Sequence, residues 1–243
     1  MQIAIEKLPV LLGALPTTFF ILIVSVAIAL VFGTVLTMMK LSRYRVVRGV
    51  ASVYISFMRG TPMVAQLLIA FIGLPLLLRE SFGIAMSGST NMTCAIIAFS
   101  LNESAFFAEI FRSAYLAIDH GQIEAAESIG MNKVQVFLHV TLPQTAMSAL
   151  PNTTNMIIEL MKNTSVGLAI GVVDLMGMAK QVSYNTMGVG QTPIYLETAV
   201  LYWIIGVIMM ALSSVVTKRL NRCDEPTAAV SRRRLKKTGG ERA

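Results

Sequence analysis

The sequence predicts an all-α integral membrane protein with about five transmembrane helices. Of its 243 residues, 55% are hydrophobic and only 14% are charged, and the mean hydropathy is +0.68. A water-facing surface does not tolerate such a composition. A helix needs roughly 20 apolar residues to cross a bilayer core of about 30 Å. Five stretches of the chain meet that requirement.

The first apolar stretch covers about residues 10–39. It is too long for a secretory signal and lacks a cleavage pattern, so we expect a retained span. The second lies within about residues 52–78 and the third covers about residues 92–117. The fourth and fifth cover about residues 144–173 and 194–217.

Charges in the connecting segments predict the orientation. Four cations follow the first span: Lys40, Arg43, Arg45 and Arg48. The chain from Lys218 to its end carries nine Lys or Arg and three acids, whereas residues 81–91 carry no charge and residues 173–193 have Lys180 as their one cation. Because cytoplasmic loops are enriched in Lys and Arg, we expect the N-terminus outside and the C-terminus inside. Residues 118–143 then lie in the cytoplasm.

The net charge of +7 belongs mostly to the tail, which supplies +6. Basic residues beyond a final span are typical of a flank attracted to anionic membrane lipid, and we expect no nucleic-acid partner. The sequence thus predicts a transmembrane domain at 1–220 and a flexible basic cytoplasmic tail at 221–243. Cys94 and Cys223 are too far apart in this topology for a disulfide. His120 and His139 alone are too few for a metal site.

Prolines and glycines indicate irregular membrane helices. Gly73 and Pro75 are expected to interrupt the second span, and Pro151 lies near the start of the fourth. In lipid, a broken helix is tolerated where protein or a water-filled cavity satisfies the freed backbone groups. The breaks therefore suggest a pathway, and a static proline kink in a packed bundle is the alternative.

The segment between the third and fourth spans predicts a short helix of about two turns. Asp119 with Gln122 three residues later has the form of a helix start, and we expect Glu124 to add negative charge to the first turn. Gly130 suits the left-handed residue that follows a helix end. Pro143 is tolerated in the first turn of the next helix, because its missing N–H has no partner there.

Ala125 and Ala126 should give this short helix a face with almost no side chain, which the groove of another protein can approach closely. A force on the short helix would pass through Leu142 and Pro143 to the fourth span. A solvated connector is the alternative, since these residues are also good helix formers.

The residue pattern of this segment resembles the EAA loop of bacterial ABC-importer permeases. The match comprises Glu124-Ala125-Ala126, Gly130 six positions after the glutamate, and the pair Leu142-Pro143. Val140 stands where that family usually has isoleucine. Further stretches resemble the polar amino acid subfamily: YISFMRGTP at 54–62, AEIFRS at 108–113, LPQ at 142–144, and Lys162 with Thr164 and Ser165. Phe106-Phe107 and Asn163 with Val166 depart from that pattern.

This resemblance implies the type I ABC-importer permease fold, with the short coupling helix between helices 3 and 4 docking onto an ATP-hydrolysing subunit. It also implies a second permease copy or a paralogue, an extracellular solute-binding protein, and a location in the bacterial inner membrane. The chain has no GxxxxGK[ST] phosphate loop. We therefore expect no enzyme activity and no cofactor of its own, with ATP and Mg²⁺ bound by the partner ATPase.

The implied substrate is a polar amino acid: cystine, glutamine or a basic amino acid. The alternative function is an ATP-independent secondary amino-acid transporter. That function would require an inverted repeat or a chain of intramembrane acids that carries protons, and the spans hold few paired acids.

Polar residues inside the spans are the candidates for the substrate pathway. A charge there costs several kcal/mol unless it is paired or wetted. Asn155, Glu159 and Lys162 recur at helical spacing and should form one stripe. Glu159 is the first choice for a substrate ammonium or cationic side chain and Glu103 the second, while Lys162 or backbone amides can hold a carboxylate.

Two further residues complete this candidate set. Asn102 precedes Glu103 in the third span, and Met156 occupies a position that relatives are inferred to use for ligand contact, where it offers shape and dispersion. An internal lock between helices is the alternative role for Glu103. Glu109 and Arg112, three residues apart, are expected to form a structural ion pair rather than a gate.

Overall fold

The computed structural model describes the backbone of residues 2–83 and 90–239 and the side chains of residues 6–83 and 90–219. All regular structure in the described backbone is helical, as predicted. The helices are α1 (Gln2–Leu12), α2 (Leu15–Lys40), α3 (Arg45–Gly60), α4 (Met63–Phe82), α5 (Thr90–Leu116), α6 (His120–Ser128), α7 (Lys133–Val136), α8 (Leu142–Asn163), α9 (Leu175–Asn185) and α10 (Gln191–Gly239). The side chains of the predicted flexible tail lie outside the described residues, so that prediction stays a prediction.

The bundle is built around α5. In the most apolar stretch of α5, 61% of the residues are buried, whereas none are buried in the most apolar stretch of α10. The closest packing is between α2 and α5 at Gly33, where an added Cβ would lie 2.8 Å from Phe107 Cβ. Thr37 Oγ1 donates to the Ala108 carbonyl across the same contact, at 3.1 Å. A small residue lets two membrane helices approach closely where lipid provides no hydrophobic driving force.

The predicted second span needs correction. Residues 52–78 do not form one helix, because the chain breaks at Thr61 and Pro62 between α3 and α4. Proline disfavours helical geometry at the residue before it, and Thr61 is extended at φ −112° and ψ 145°. Of the two helices, α4 is the one long and apolar enough to cross a membrane. It continues through Gly73 and Pro75, so the break expected there was wrong.

The fourth span is bent rather than straight. A π-helical turn at Phe137–Thr141 joins α7 to α8, and a 3-10 turn at Thr164–Ile170 follows α8. The helical run Lys133–Ile170 and helix α9 meet at a bend of 48°. Pro151 lies inside α8 without breaking it. By length and composition, four helices of the described chain can cross a membrane, and a fifth if this bent pair counts as one span.

Asp174 stabilises the bend. Its carboxylate is fully buried, and Oδ2 accepts hydrogen bonds from Thr164 Oγ1 at 3.1 Å and from the Tyr202 hydroxyl at 2.9 Å. Its Oδ1 caps α9 by accepting from the Gly177 N–H at 2.9 Å. One carboxylate thus joins the end of α8, the start of α9 and the first half of α10. This role of Asp174 was not predicted from the sequence.

Candidate coupling segment and transport face

Helix α6 has the start and the end that the sequence predicted. Asp119 accepts a hydrogen bond from the Gly121 N–H at 2.9 Å, which satisfies one of the free donors of the first turn. After the helix, Gly130 has φ +90°. The Met131 N–H reaches the Ala126 carbonyl at 3.2 Å and the Gly130 N–H reaches the Glu127 carbonyl at 3.0 Å. These two bonds form the Schellman motif that ends many helices.

Two details of the predicted helix were wrong. Glu124 is the fifth residue of α6 and lies in the second turn rather than the first. Ala126 is 7% exposed and packs inside this chain, whereas Ala125 is exposed. One alanine of the pair therefore remains available to another protein, beside the exposed Glu124 side chain.

Gln122 connects α6 to α8. Instead of returning to the backbone of Asp119, its Oε1 accepts a hydrogen bond from Gln144 Nε2. Gln144 is the third residue of α8. The short helix is therefore attached to the fourth span by a direct side-chain contact. The sequence predicted that a force on the short helix would pass through Leu142 and Pro143. The hydrogen bond between Gln122 and Gln144 adds a second connection.

A second capped start lies between α6 and α8. The Asn132 side chain accepts from the Gln135 N–H at 3.0 Å, and Gln135 Oε1 accepts from the Asn132 N–H at 2.9 Å. This reciprocal capping box begins α7. The sequence N-K-V-Q at 132–135 carries that signature, although this helix start was not predicted. The helix that leads into the fourth span therefore begins at Lys133, nine residues before Leu142.

Pro143 follows the π-helical turn, not a fresh helix start. The Leu142 N–H donates to the Phe137 carbonyl, five residues earlier. In a regular α-helix, Pro143 would leave the His139 carbonyl without a donor and crowd it with its ring. A widened turn before proline relieves that conflict, so the helical run continues through a residue expected to begin a new helix.

The exposed surface around α6 and α7 contains large apolar side chains. Ile129 is 81% exposed, and Val134 and Leu138 are exposed as well. Exposed apolar patches rimmed by polar residues are typical of protein contact sites. We call Glu124, Ala125, Ile129 and Val134 the coupling surface.

Three polar side chains of α8 share an exposed side of the helix. Asn155, Glu159 and Lys162 are exposed, and Met156 is half-buried. Within the described part of the chain, neither Glu159 nor Lys162 has an ion-pair partner. We call Asn155, Glu159 and Lys162 the transport face. Because charges in a membrane helix must be wetted or paired, this face requires a neighbour other than lipid.

Glu103 lies behind the transport face. It is 1% exposed, and its Oε2 atom has no hydrogen-bond partner among the described residues. Glu159 is near enough for the two carboxylates to repel each other. A buried carboxylate oxygen without a partner is costly, and the assignment of Glu103 to the substrate pathway stays a prediction.

Asn102 faces the interior, as expected, and contacts two neighbouring helices. It is 6% exposed, and its Nδ2 donates to Gln66 Oε1 at 2.9 Å and to the Met58 carbonyl at 3.2 Å. Its amide therefore joins α5 to α3 and α4, and the assignment of Asn102 to the substrate pathway stays a prediction. Sequence alone does not separate it from Glu103, because neighbouring helix positions point only about 100° apart.

Gln66 is the residue missed at this contact. Its Nε2 donates to the Met58 carbonyl at 2.8 Å and to Thr61 Oγ1 at 2.7 Å. These bonds satisfy backbone and side-chain groups at the break between α3 and α4. The sequence signal that could have identified Gln66 is a glutamine inside an otherwise apolar helix.

The predicted ion pair between Glu109 and Arg112 is present, with Arg112 Nη2 2.7 Å from Glu109 Oε2. Lys40 of α2 joins it, with Nζ 3.3 Å from Glu109 Oε1. One carboxylate therefore has two cationic partners. Lys40 is 69 residues away along the chain, and its contribution was not predicted from the sequence.

Comparison with known families decides the class of this bundle. The model of the family described as "Binding-protein-dependent transport system inner membrane component" matches residues 29–222. The chain belongs to this family. It is therefore an inner-membrane component of a binding-protein-dependent transport system, and the predicted location is confirmed.

Individual relatives resemble most of the chain. The "Probable amino-acid permease protein YxeN" of Bacillus subtilis is 34% identical over 221 residues, which cover 91% of this chain and 96% of that protein. The "L-cystine transport system permease protein TcyL" of Bacillus subtilis is 34% identical over 217 residues, covering 89% and 90%. The predicted resemblance to amino-acid ABC-importer permeases is confirmed.

A solved structure shares the architecture of this permease. The "Crystal structure of an amino acid ABC transporter with histidines" matches at a TM-score of 0.77 and 29% identity, covering 88% of this chain and 96% of that chain. The fold class expected from the sequence, that of an ABC-importer permease, is confirmed by this match.

Proposed function

We propose that this permease forms the membrane pathway of an ATP-driven importer for a polar amino acid, and that a separate ATPase subunit drives it through the coupling surface. The observation that supports a polar amino acid as the substrate is the transport face. Three polar residues, two of them charged, are exposed along a helix whose neighbours are apolar. A second permease subunit and a water-filled passage would together surround these residues. The relatives are named as permeases of amino-acid transport, which supports such a passage.

The transport face offers groups of opposite charge to one substrate. The Glu159 carboxylate can bind an ammonium or a cationic side chain, and the Lys162 ammonium can bind a carboxylate. They lie three residues apart on one side of α8, and Asn155 adds an amide one turn before Glu159. This set matches a zwitterion. Cystine, glutamine and basic amino acids remain the candidate substrates, and Met156 would contribute shape at the edge.

The coupling surface supplies the ATP-dependent side of the proposal. Helix α6 projects Glu124 and Ala125 outward, and it is attached to α8 by Gln122 and Gln144. A displacement of α6 by the ATPase would thus act on the helix that carries the transport face. The solute-binding protein would deliver the amino acid from the opposite side of the membrane.

The test is uptake by liposomes that contain the permease, its ATPase subunit and external solute-binding protein. We expect ATP-dependent uptake of one labelled amino acid, competed by unlabelled amino acids of the same class. Glu159→Gln should abolish most of the uptake, whereas Glu80→Gln, which removes the same charge from the exposed end of α4, should not. Uptake that persists without ATP would favour the secondary-transporter alternative. Equal uptake by both variants would remove Glu159 from the pathway.

A further inference from the structure

A polar cavity lies between α2, α3 and α5, away from the transport face. Its volume is about 660 Å³, within the range of sites that hold small molecules. Three cations line it, from Lys40, Arg59 and Arg112, against one carboxylate, from Glu109. The cavity therefore has a net charge of +2 before any ligand enters.

The charges in the cavity are not all neutralised within the chain. Glu109 binds both Lys40 and Arg112. Arg59 has no ion-pair partner among the side chains that the structure describes, and its guanidinium lies 5.4 Å from the centre of the Phe106 ring. Ser56 adds a hydroxyl to the lining. Guanidinium and hydroxyl donors around a positive cavity are the groups that bind phosphate oxygens.

The location of the cavity favours a ligand that belongs to the membrane. Glu109 and Arg112 lie in the last turns of α5, just before α6, so the cavity is at the coupling end of the bundle. At this end, the loop after α2 adds Arg43, and the first turn of α3 adds Arg45 and Arg48. Basic pockets between membrane helices at such a boundary are suited to anionic lipid head groups.

Helix α3 provides the apolar half of such a site. Four of its side chains are each more than half exposed and recur at helical spacing: Val46, Val50, Val53 and Phe57. Ala51 and Ile55 are buried on the opposite side. At 3.6 residues per turn, the cavity-lining positions Ser52, Ser56 and Arg59 fall between the buried face and this apolar stripe. A helix with adjacent cationic and apolar faces is typical of a membrane interface.

We infer that this cavity binds the phosphate head group of an anionic phospholipid, with the acyl chains lying along the exposed stripe of α3. Arg59 is the principal phosphate ligand, and Lys40 and Arg112 contribute charge while remaining paired with Glu109. The bound lipid would fix α3 at the membrane boundary beside the break at Thr61. This role is separate from the transport face, so its failure would leave the transport proposal intact.

The test is native mass spectrometry of the full-length permease, purified in detergent and titrated with phosphatidylglycerol or with phosphatidylcholine. Arg59→Gln should weaken phosphatidylglycerol binding by about fivefold, the effect of one basic residue near anionic lipid, and leave phosphatidylcholine binding unchanged. Arg59→Lys should keep most of the binding. The matched control is Arg43→Gln, which removes one exposed cation at the same end but outside the cavity.

A variant of opposite sign makes the inference falsifiable if Arg59→Gln perturbs the fold. Glu109→Gln should strengthen phosphatidylglycerol binding, because it raises the charge of the cavity and frees two cations. Equal losses in the Arg59 and Arg43 variants would mean a general surface effect and overturn the inference. Unchanged lipid binding by the Arg59 variant, together with loss of the co-purifying ATPase subunit, would also overturn the inference. That result would indicate that an acidic protein segment occupies the cavity.

Discussion

Gln144 Nε2 donates a hydrogen bond to Gln122 Oε1 across 22 residues of sequence. This contact joins the short helix α6 to the third residue of α8. The hydrogen bond is exposed to solvent, so it makes only a small contribution to stability, on the order of 1 kcal/mol or less. Its importance lies in what it connects: the coupling surface on one side and the helix of the transport face on the other.

Replacing either glutamine should therefore uncouple ATP hydrolysis from transport without unfolding the protein. We expect Gln122→Ala and Gln144→Ala each to lower the amount of amino acid transported per ATP hydrolysed, with the ATPase subunit still bound. The double variant should be no worse than either single variant, because both remove the same bond. Gln181→Ala, an exposed glutamine of α9, is the control. Additive losses in the double variant would contradict a shared contact.

Gly130→Ala should weaken the attachment of the ATPase subunit. The glycine has φ +90° with open space around it, so a methyl group meets no neighbour but strains the left-handed backbone by roughly 1–2 kcal/mol. We expect less ATPase subunit to co-purify and transport to fall, with normal membrane insertion.

Gly83→Ala is the matched control for this strain. Gly83 ends α4 at φ +66°, also with open space, and lies at the end of α4 away from the α3–α4 break. The two variants should lose similar stability in thermal unfolding, and Gly130→Ala alone should lose the ATPase subunit. Equal loss of that subunit in both would point to general destabilisation.

Asn102 and Asn155 should give opposite results when changed to alanine. Asn102→Ala removes the Nδ2 group that donates a hydrogen bond to Gln66 Oε1 in a buried site. Its loss should lower the free energy of unfolding by about 1–3 kcal/mol. Asn155→Ala should leave thermal stability unchanged and raise the substrate concentration required for half-maximal uptake. A stable Asn102 variant with altered substrate affinity would instead support a role for Asn102 in the pathway.

Gly33→Ala should separate α2 from α5. The new Cβ would lie 2.8 Å from Phe107 Cβ and 3.1 Å from the Ser104 carbonyl oxygen, closer than packed atoms allow. Overpacking of this kind costs about 1–3 kcal/mol, and we expect a lower unfolding temperature in detergent. Gly49→Ala adds the same methyl group where nothing lies within 4 Å and should not destabilise. Unchanged stability in the Gly33 variant would show that the helices can move apart freely.

Local sequence signals predicted the local features. Asp119 and Gly130 marked the two ends of α6 because a helix cap depends on residues close in the chain. The apolar stretches predicted the membrane helices for the same reason. The break between α3 and α4 could also have been predicted, because Pro62 disfavours helical geometry at Thr61. The apolar content of the stretch suggested one continuous helix instead.

Features that depend on distant residues could not be predicted in this way. Asp174 sits in a connecting segment where an acid is usually solvated, and its burial depends on Tyr202, 28 residues later. The third member of the Glu109 ion-pair cluster, Lys40, comes from another helix. The helical stripe on α8 was readable from spacing, whereas the different environments of Asn102 and Glu103 depend on which neighbours pack against each side of α5.

The helical run from Lys133 to Asn163 has a mechanical consequence. At 1.5 Å per residue it is a rod of roughly 45 Å, with the coupling surface beside its first turn and the 48° bend beyond its last. A rod of that length acts as a lever: tilting it by about 10° about its first turn would swing its far end by roughly 8 Å. A small push from an ATPase at one end could thus become a displacement wide enough to open or close a passage for an amino acid.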